Sequence, residues 1–335
     1  MKKRILVIHS GGTISCQKTN GVLSPSVDIS YVFKKIAKKY PKLSFLHKRL
    51  RPFLSEHLDG THVSRLIKEV KRALEDEKYS GIILTHGSDT LCYTAAALSL
   101  VLGNTTAPVV TVCADLPVSE PLSSGHVNLE AATALILSEQ ASGVFSVYKE
   151  SESVAAVHRG SRILRHRAYE VPLSSADEIY GKIDLNAPIG KALIKNPYYS
   201  EREDEIQIIP TRLKRLSPVL HVSVSPAMLF PTPPRGCKAV ILGSYHSGTV
   251  DTSNPQLVKF TKICKKRGII MFVDGIGANA DYKSMTRYAS LGIMRLPPLC
   301  SPVAMYMKLW LLIAQGEKNL PDTLYKSVGA DIVPR

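Results

Sequence analysis

The stretch ILVIHSGGTI, residues 5–14, decides the fold class of this chain. Its first four residues, Ile5–Ile8, form a short, apolar and largely β-branched run, which is typical of a parallel strand buried on both faces. Gly11 and Gly12 follow, and glycine permits a sharp turn that brings the next residue, Thr13, close to a ligand. The stretch therefore predicts a buried strand that ends in a tight turn carrying a hydroxyl. Taken alone, it also fits an ordinary β-turn.

Three further apolar runs repeat the form of the first, and segments with a helical pattern lie between the runs. The runs are Gly81–Thr85, Val109–Cys113 and Gly143–Tyr148. The predicted helices are 29–37 and 63–74, with apolar residues three and four positions apart, and the apolar stretches 95–102 and 129–137. Strands alternating with helices predict an α/β fold: a mainly parallel sheet flanked by helices, with sites at the carboxyl ends of strands.

The alternating pattern is lost between about Asp177 and Pro218, a segment rich in proline and charge. We therefore predict a larger N-terminal domain at residues 1–190, a linker at 191–217 and a smaller C-terminal α/β domain at 218–335. Apolar runs resume in the last of these, at Val219–Val224, Ala239–Leu242 and Ile269–Val273. Two helix starts there are predicted from an N-cap residue followed by proline, at Asn254–Pro255 and Ser301–Pro302.

Composition indicates a soluble protein of the reducing cytoplasm. The chain has 335 residues, 44% of them hydrophobic, but no run near the length of a membrane span. Its six cysteines are scattered, without the close pairs that zinc and redox sites use. We expect reduced thiols, no metal and no association with a membrane.

The formal net charge of +15 is high enough to attract anions in general. It is compatible with nucleic acid or an acidic membrane surface, but identifies neither, and nucleic acid is not the partner that we expect. The densest basic cluster lacks interleaved aromatic residues that could stack on bases, and we interpret it as a solvated loop. Its members are His158, Arg159, Arg162, Arg165, His166 and Arg167.

A second polar motif, Thr85–Thr90, follows the second apolar run in the sequence THGSDT. Ser88 could simply cap the following helix, since serine is a preferred N-cap. A cap does not require the neighbouring histidine, glycine and aspartate, however. Thr13, Ser88 and Asp89 would all lie at the carboxyl ends of strands in one sheet and face a common crevice. Hydroxyls, an anion and exposed N–H groups in glycine turns suit acyl transfer such as amide hydrolysis.

The two motifs together, in this order and at this spacing, resemble those of the bacterial-type L-asparaginases, especially the cytoplasmic form. In that family one strand ends in Thr/Ser-Gly-Gly-Thr-Ile and a later one in His-Gly-Thr-Asp-Thr, which correspond here to Ser10–Ile14 and His86–Thr90. The similarity extends over nearly the whole chain. It includes Tyr93–Ala95, Ala97–Ser99, Gly125, Asn128, Leu129, Arg159, Gly160, Arg162 and, more loosely, Ser244–Thr249.

The resemblance implies a side-chain amidase that uses no metal or organic cofactor. Thr13 would attack the amide carbon of asparagine, or of a related small amide, and release ammonia. Ser88, Asp89 and the residue at the family's lysine position, Arg165, would form a polar trio beside it. The resemblance also implies a homo-oligomer, a dimer or tetramer. The implied substrate-binding residues are Gly12, His57, Leu58, Gly87, Ser88, Asp89 and Ala114.

Three positions depart from the family pattern. The family's lysine is replaced by Arg165, which stays protonated and so stabilises an anion but cannot accept a proton. The family's activating tyrosine falls on Leu23 by an ungapped count, and no tyrosine precedes Tyr31. Its Asp-Ser-x-Asp substrate segment aligns with 56–59, which puts His57 in place of the serine. A protonated His57 could still bind a substrate carboxylate.

Three functions remain open, and a fourth is disfavoured. The first is an asparaginase-type amidohydrolase with Thr13 as nucleophile. The second is a binding or regulatory protein that has lost the chemistry through the substitutions at Leu23, His57 and Arg165. The third is the related amidase subunit that supplies ammonia for tRNA-bound glutamate amidation, for which we would expect an extra N-terminal module. A nucleotide-binding protein is disfavoured because both the dinucleotide fingerprint and the Walker loop are missing.

Overall fold

The computed structural model describes residues 3–25, 28–76, 78–105, 107–166, 171–275 and 282–334. Within these ranges the chain forms an eight-stranded sheet, a four-stranded sheet and a two-stranded hairpin. The predicted α/β class is confirmed, with a large, mainly parallel sheet flanked by helices and a smaller parallel sheet after it. The residue boundaries proposed for the two domains stay a prediction.

The elements are as follows in chain order. The strands are β1 (Lys3–Gly11), β2 (Cys16–Thr19), β3 (Val22–Pro25), β4 (Leu43–Phe53), β5 (Gly81–Thr85), β6 (Val109–Val112), β7 (Val144–Lys149), β8 (Val154–Arg159), β9 (Gly181–Asp184), β10 (Leu193–Lys195), β11 (Val219–Val222), β12 (Ala239–Leu242), β13 (Ile270–Val273) and β14 (Ile293–Arg295). The helices are α1 (Ser30–Lys39), α2 (Gly60–Leu74), α3 (Ser88–Leu102), α4 (Gly125–Leu137), α5 (Pro255–Lys266), α6 (Tyr288–Leu291), α7 (Pro302–Gln315) and α8 (Leu320–Leu324).

The large sheet has the strand order β10-β9-β8-β7-β6-β5-β1-β4. Strands β4, β1, β5, β6 and β7 are mutually parallel, so their carboxyl ends share one edge. Strands β8, β9 and β10 extend the sheet in antiparallel fashion. Strand β10 therefore belongs to the large sheet although it lies in the segment predicted as a linker. The small sheet, in the order β11-β12-β13-β14, is parallel throughout.

The large sheet has a hydrophobic core on each face, and the side chains of β1 contribute to both. Leu6 and Ile8 point to a core that contains α2, α3, α7 and part of the small sheet, whereas Ile5 and Val7 point to a core that contains α1 and α4. Alternate residues of a strand face opposite sides of a sheet, so an uninterrupted apolar run is required where both sides are covered. This arrangement is the physical reason for the run ILVI in the sequence.

Both helix starts predicted from proline are confirmed. The Asn254 side chain accepts a hydrogen bond from the Gln256 N–H at 2.8 Å, and α5 begins with Pro255. The Ser301 hydroxyl accepts one from the Ala304 N–H at 3.4 Å, and α7 begins with Pro302. Among the described residues, no helix is long and apolar enough to cross a membrane.

The basic cluster at 158–167 contradicts its interpretation as a solvated loop. Arg159 and Arg162 are fully buried and His158 is nearly so. The Arg159 guanidinium donates to the carbonyl oxygen of Ser142 at 2.7 Å, and Arg162 donates to that of Ala330 at 2.8 Å. Backbone carbonyl groups thus hold these cations inside the protein, and the carboxylates of Glu201 and Asp177 lie 3.5 and 3.9 Å from Arg159 and Arg162, respectively. Residue 167 lies outside the described part of the chain.

A buried ion pair fixes α7 to the last residues of the chain. The Nζ of Lys308 lies 2.6 Å from Oδ2 of Asp331, and neither side chain is exposed. Lys308 also donates to the carbonyl oxygens of Leu324 and Lys326, at 3.1 and 2.5 Å. Burial raises the pKa of the Asp331 carboxyl, while the neighbouring ammonium opposes that shift.

We predict that Lys308→Met lowers the free energy of unfolding by about 3–5 kcal/mol, because it leaves the Asp331 carboxylate buried without a counter-ion. Urea unfolding measures this change. The double variant Lys308→Met/Asp331→Leu should recover most of the loss, since it removes both charges. A single variant within about 1 kcal/mol of wild type would contradict the prediction.

Candidate active site

The turn after β1 packs directly on the turn after β5. Gly11 and Gly12 have φ values of 114° and 89°, which non-glycine residues rarely adopt. A Cβ atom on Gly12 would overlap the carbonyl group of His86 and the nitrogen of Gly87. Glycine is required here for both its backbone conformation and its lack of a side chain. The two predicted motifs are therefore in backbone contact.

Thr13 and Ser88 project from these adjoining turns. Thr13 begins a short 3₁₀ turn, Thr13–Ser15, and is half-buried. Ser88 is the first residue of α3 and is also half-buried; the N-cap is Gly87, and no side chain caps this helix. Ser88 thus does not have the capping role considered from the sequence. Within the described ranges, neither hydroxyl has a hydrogen-bond partner, so both are available to a ligand.

Hydrogen bonds hold the carboxyl ends of β1, β5 and β6 together beneath the turns. The Ser10 hydroxyl donates to the carbonyl oxygen of Thr85 at 2.6 Å, which ties β1 to β5. The N–H of His86 donates to the carbonyl oxygen of Val112 at 2.8 Å, which ties β5 to β6. The N–H of Val118 donates to the carbonyl oxygen of Ile14 at 3.3 Å. The base of the site is rigid for these reasons.

His86 is a buried, neutral support of the second turn. Its Nδ1 lies 2.9 Å from the carbonyl oxygen of Gly87, and its Nε2 lies 2.9 Å from the Thr94 hydroxyl. Because a carbonyl oxygen only accepts, Nδ1 carries the proton and Nε2 accepts from Thr94. Burial lowers the pKa of the imidazole to about 4, against smaller opposing effects of Gly87 and Asp89. His86 therefore positions the turn and does not supply a proton near neutral pH.

Ser55, which sequence analysis missed, binds Asp89. Its hydroxyl donates to Oδ2 of Asp89 at 2.6 Å, and its carbonyl oxygen accepts from the Thr90 hydroxyl at 2.8 Å. Ser55 also fills the space beside Gly87, where a Cβ would overlap its side chain. Its position directly after β4 could have revealed it, because β4 is parallel to β1 and ends at the same edge. The alignment of the family's Asp-Ser-x-Asp segment with 56–59 places a different residue, His57, at the serine position.

The other predicted substrate-binding residues follow β4 and β6 and differ in burial. His57 ends the 3₁₀ turn Ser55–His57 and is exposed, and Leu58 is half-buried against the larger core. Ala114 follows β6 and is fully buried. The N–H of His57 donates to the carbonyl oxygen of Leu54 at 2.9 Å, and its imidazole makes no hydrogen bond in the described part of the chain. The roles assigned to these three residues stay predictions.

Arg165 lies to one side of the site, where it is exposed. It borders a cavity of about 400 Å³ together with Tyr93, Tyr306, His221 and Asp274. Burial raises the pKa of Tyr93, and the charge of Arg165 opposes this rise, which places the guanidinium near the second turn of α3. No hydrogen bond or ion pair of Arg165 occurs among the described residues. Its guanidinium is therefore available to bind a ligand.

The tyrosine expected from the family is not supplied by Leu23 or by Tyr31. Strands β2 and β3 form a hairpin directly after Thr13, and Leu23 lies on it, paired with Lys18 and 42% exposed. The Tyr31 hydroxyl donates to the carbonyl oxygen of Val118 at 3.0 Å, which anchors α1 to the loop after β6. Burial raises the pKa of Tyr31. Its hydroxyl is thus engaged in a structural bond.

Known proteins resemble this chain at the level of sequence family and of fold. The family profile described as "Asparaginase, N-terminal" matches residues 4–173. The fold is similar to the thermostable L-asparaginase of Thermococcus kodakarensis, with a TM-score of 0.77 and 18% identity over 99% of this chain and 100% of that one. It is also similar to L-asparaginase I of Vibrio cholerae, with a TM-score of 0.74 and 18% identity over the full length of both chains.

Curated relatives by sequence include several archaeal proteins, each named as one subunit of a glutamyl-tRNA(Gln) amidotransferase. The one from Pyrococcus furiosus is 30% identical over 209 residues, which are 61% of this chain and 47% of that relative. The one from Archaeoglobus fulgidus is 25% identical over an alignment of 358 positions, gaps included, which covers 98% of this chain and 79% of that relative. The chain spans about half the length of the first curated relatives it matches.

We predict that acid destabilises the fold through His86. Between pH 6.5 and about 4, the unfolded imidazole binds a proton that the folded one does not. The free energy of unfolding should therefore fall as the pH falls through this window, by up to about 1.4 kcal/mol per pH unit for one proton. Urea unfolding at several pH values should show a shallower fall for His86→Asn. The exposed control His246→Asn should keep the wild-type slope, and equal slopes in both variants would contradict the assignment.

Proposed function

Because this chain belongs to the asparaginase family, we propose that it is an amidohydrolase in which Thr13 attacks the side-chain amide of asparagine or a related small amide. The Thr13 oxygen would bond to the amide carbon, and collapse of the tetrahedral intermediate would expel ammonia. Water would then cleave the resulting ester and release aspartate. No metal or organic cofactor enters this scheme.

The observation that carries the proposal is the backbone contact between the two glycine turns. It brings Thr13 and Ser88 to neighbouring carboxyl ends of β1 and β5, with both hydroxyls available. Backbone N–H groups of such turns can donate to the oxygen that becomes negative in the intermediate. The contact thus supports a role for Gly12 and Gly87 in the site besides that of Thr13.

Asp89 and Ser55 support recognition of an amino-acid substrate. Asp89 is exposed at the surface of the site, and Ser55 holds one carboxylate oxygen at 2.6 Å. The remaining oxygen can accept from the α-ammonium of the substrate. Ser55 would act as a positioning residue that fixes the carboxylate. His57, two residues after Ser55, would meet the substrate carboxylate when protonated.

A second candidate function is ammonia supply to a tRNA-bound glutamate. The archaeal relatives carry the name of an amidotransferase subunit, and one of them aligns with 98% of this chain. The chemistry at Thr13 would be the same, but ammonia would pass to a partner protein. A cytoplasmic location and a homo-oligomeric state remain our predictions for either function.

We predict that Thr13→Ala lowers ammonia release from asparagine by more than about a thousandfold, as loss of a nucleophile does. A coupled ammonia assay measures the rate. Thr19→Ala, at an exposed position on β2, is the matched control and should keep the wild-type rate. Equal rates for wild type and Thr13→Ala would sink the enzyme hypothesis and leave the binding or regulatory alternative.

We further predict that Arg165→Lys raises the amidase rate, because a lysine can lose its proton whereas arginine stays charged. Stability should stay within about 0.5 kcal/mol of wild type, since Arg165 is exposed and makes no ion pair in the described ranges. Arg165→Gln is the control, and it should not accelerate the reaction. A lysine variant no faster than the parent would show that Arg165 does not occupy a catalytic lysine position.

A further inference from the structure

The positive charge of this protein is concentrated in one part of the sequence. Residues 34–72 contain twelve lysines and arginines but three acidic residues, within a chain of net charge +15. This segment forms most of α1, all of β4 and most of α2. Because β4 is the terminal strand of the large sheet, these basic side chains surround one edge of the molecule.

An open groove runs along α2 within this basic region. Its volume is about 690 Å³, and its second wall is the segment Pro210–Arg212. One acidic residue of the groove, Glu69, forms an ion pair with Lys48 of β4, and the other is Glu75. The five basic residues that line it have no ion-pair partner among the described residues; they are Arg65, Lys68, Lys71, Arg72 and Arg212.

The second wall is held in place along the first turns of α2. The N–H of Leu213 donates to the Ser64 hydroxyl at 2.8 Å, and that hydroxyl donates to the carbonyl oxygen of Gly60 at 2.7 Å. Arg215 forms an ion pair with Asp59, with Nε 3.2 Å from Oδ2. These contacts fix the backbone on both sides of the groove before any ligand binds. Preorganisation of this kind lowers the entropic cost of binding.

The arrangement of charge fits an extended polyanion. Arg65, Lys68 and Arg72 are spaced three and four residues apart, so they share a face of α2 and span about 10 Å along its axis. Phosphates in a duplex repeat about every 3.4 Å along each strand, so this span faces several of them. Helix α2 has no exposed large apolar side chain, which a helix lying in a membrane interface needs.

We propose that this groove binds the phosphodiester backbone of a nucleic acid. One end of the groove, at Thr61, lies near the candidate active site, because α2 begins at Gly60, five residues after Ser55, which contacts Asp89. The basic residues lie further along the helix. The proposal is independent of whether Thr13 is a nucleophile. It revises the expectation that nucleic acid is not a partner, an expectation drawn from the lack of aromatic residues in the basic cluster at 158–167.

Binding of fluorescein-labelled hairpins to the full chain, measured by fluorescence anisotropy, tests this proposal. One probe is an RNA hairpin and the other is a DNA hairpin of the same sequence, each titrated between about 50 and 200 mM salt. The groove variant is Lys68→Gln/Arg72→Gln. The matched control is Lys262→Gln/Lys266→Gln, which removes the same charge from exposed positions on α5. Circular dichroism verifies that both variants fold.

The groove variant should bind about tenfold more weakly and reduce the slope of log K against log salt by about 2, one for each lost phosphate contact. Arg212→Gln, on the opposite wall, should reduce it by about 1. The control pair should leave both quantities near wild type. The tighter-binding hairpin identifies RNA or DNA as the source of the backbone. The proposal would be overturned if the groove variant and the control variant weakened binding equally, or if the wild-type chain bound neither hairpin at the lowest salt.

Discussion

The close approach of two backbone turns, Gly12 against His86 and Gly87, is the constraint on which the candidate site depends. No side chain fits between the turns, so the carboxyl ends of β1 and β5 meet at van der Waals distance. The half-buried hydroxyls of Thr13 and Ser88 consequently project from one small region. The apolar strands below supply rigidity because each is covered on both faces. The turns therefore add little side-chain bulk between these two hydroxyls.

Some side chains around this contact are held by hydrogen bonds and support the turns, whereas others are free to bind a ligand. His86 is fully buried, and its low pKa of about 4 keeps it neutral while it bonds the Gly87 carbonyl. Ser55 packs against Gly87 and holds Asp89. The side chains of Thr13, Ser88 and Arg165, by contrast, make no hydrogen bond or ion pair in the described part of the chain. An enzyme that binds a transition state more tightly than its substrate needs polar groups that are held in place and free to bind. The site has a fixed frame and such free groups at its surface.

Local sequence patterns predicted the strands that are buried on both faces. They did not predict the elements and side chains whose position depends on contacts with residues far away in the sequence. Strand β4 was missed because six of its eleven residues are polar or proline, as befits the edge of a sheet. Ser55 was missed with it, since only the parallel pairing of β4 with β1 brings that serine to Asp89. The burial of Arg162 rests on the carbonyl group of Ala330, a partner 168 positions away. No local pattern encodes such contacts.

Helix α2 begins close to the candidate active site and carries the basic groove along its length. The central claim nevertheless concerns a single bond, the ester formed on the Thr13 oxygen. Acid quenching of the protein during turnover of asparagine, followed by mass spectrometry of all tryptic peptides, of which Ile5–Lys18 contains Thr13, tests it most directly. We predict one aspartyl group, on Thr13. An aspartyl group on Ser88 or any other residue would contradict it.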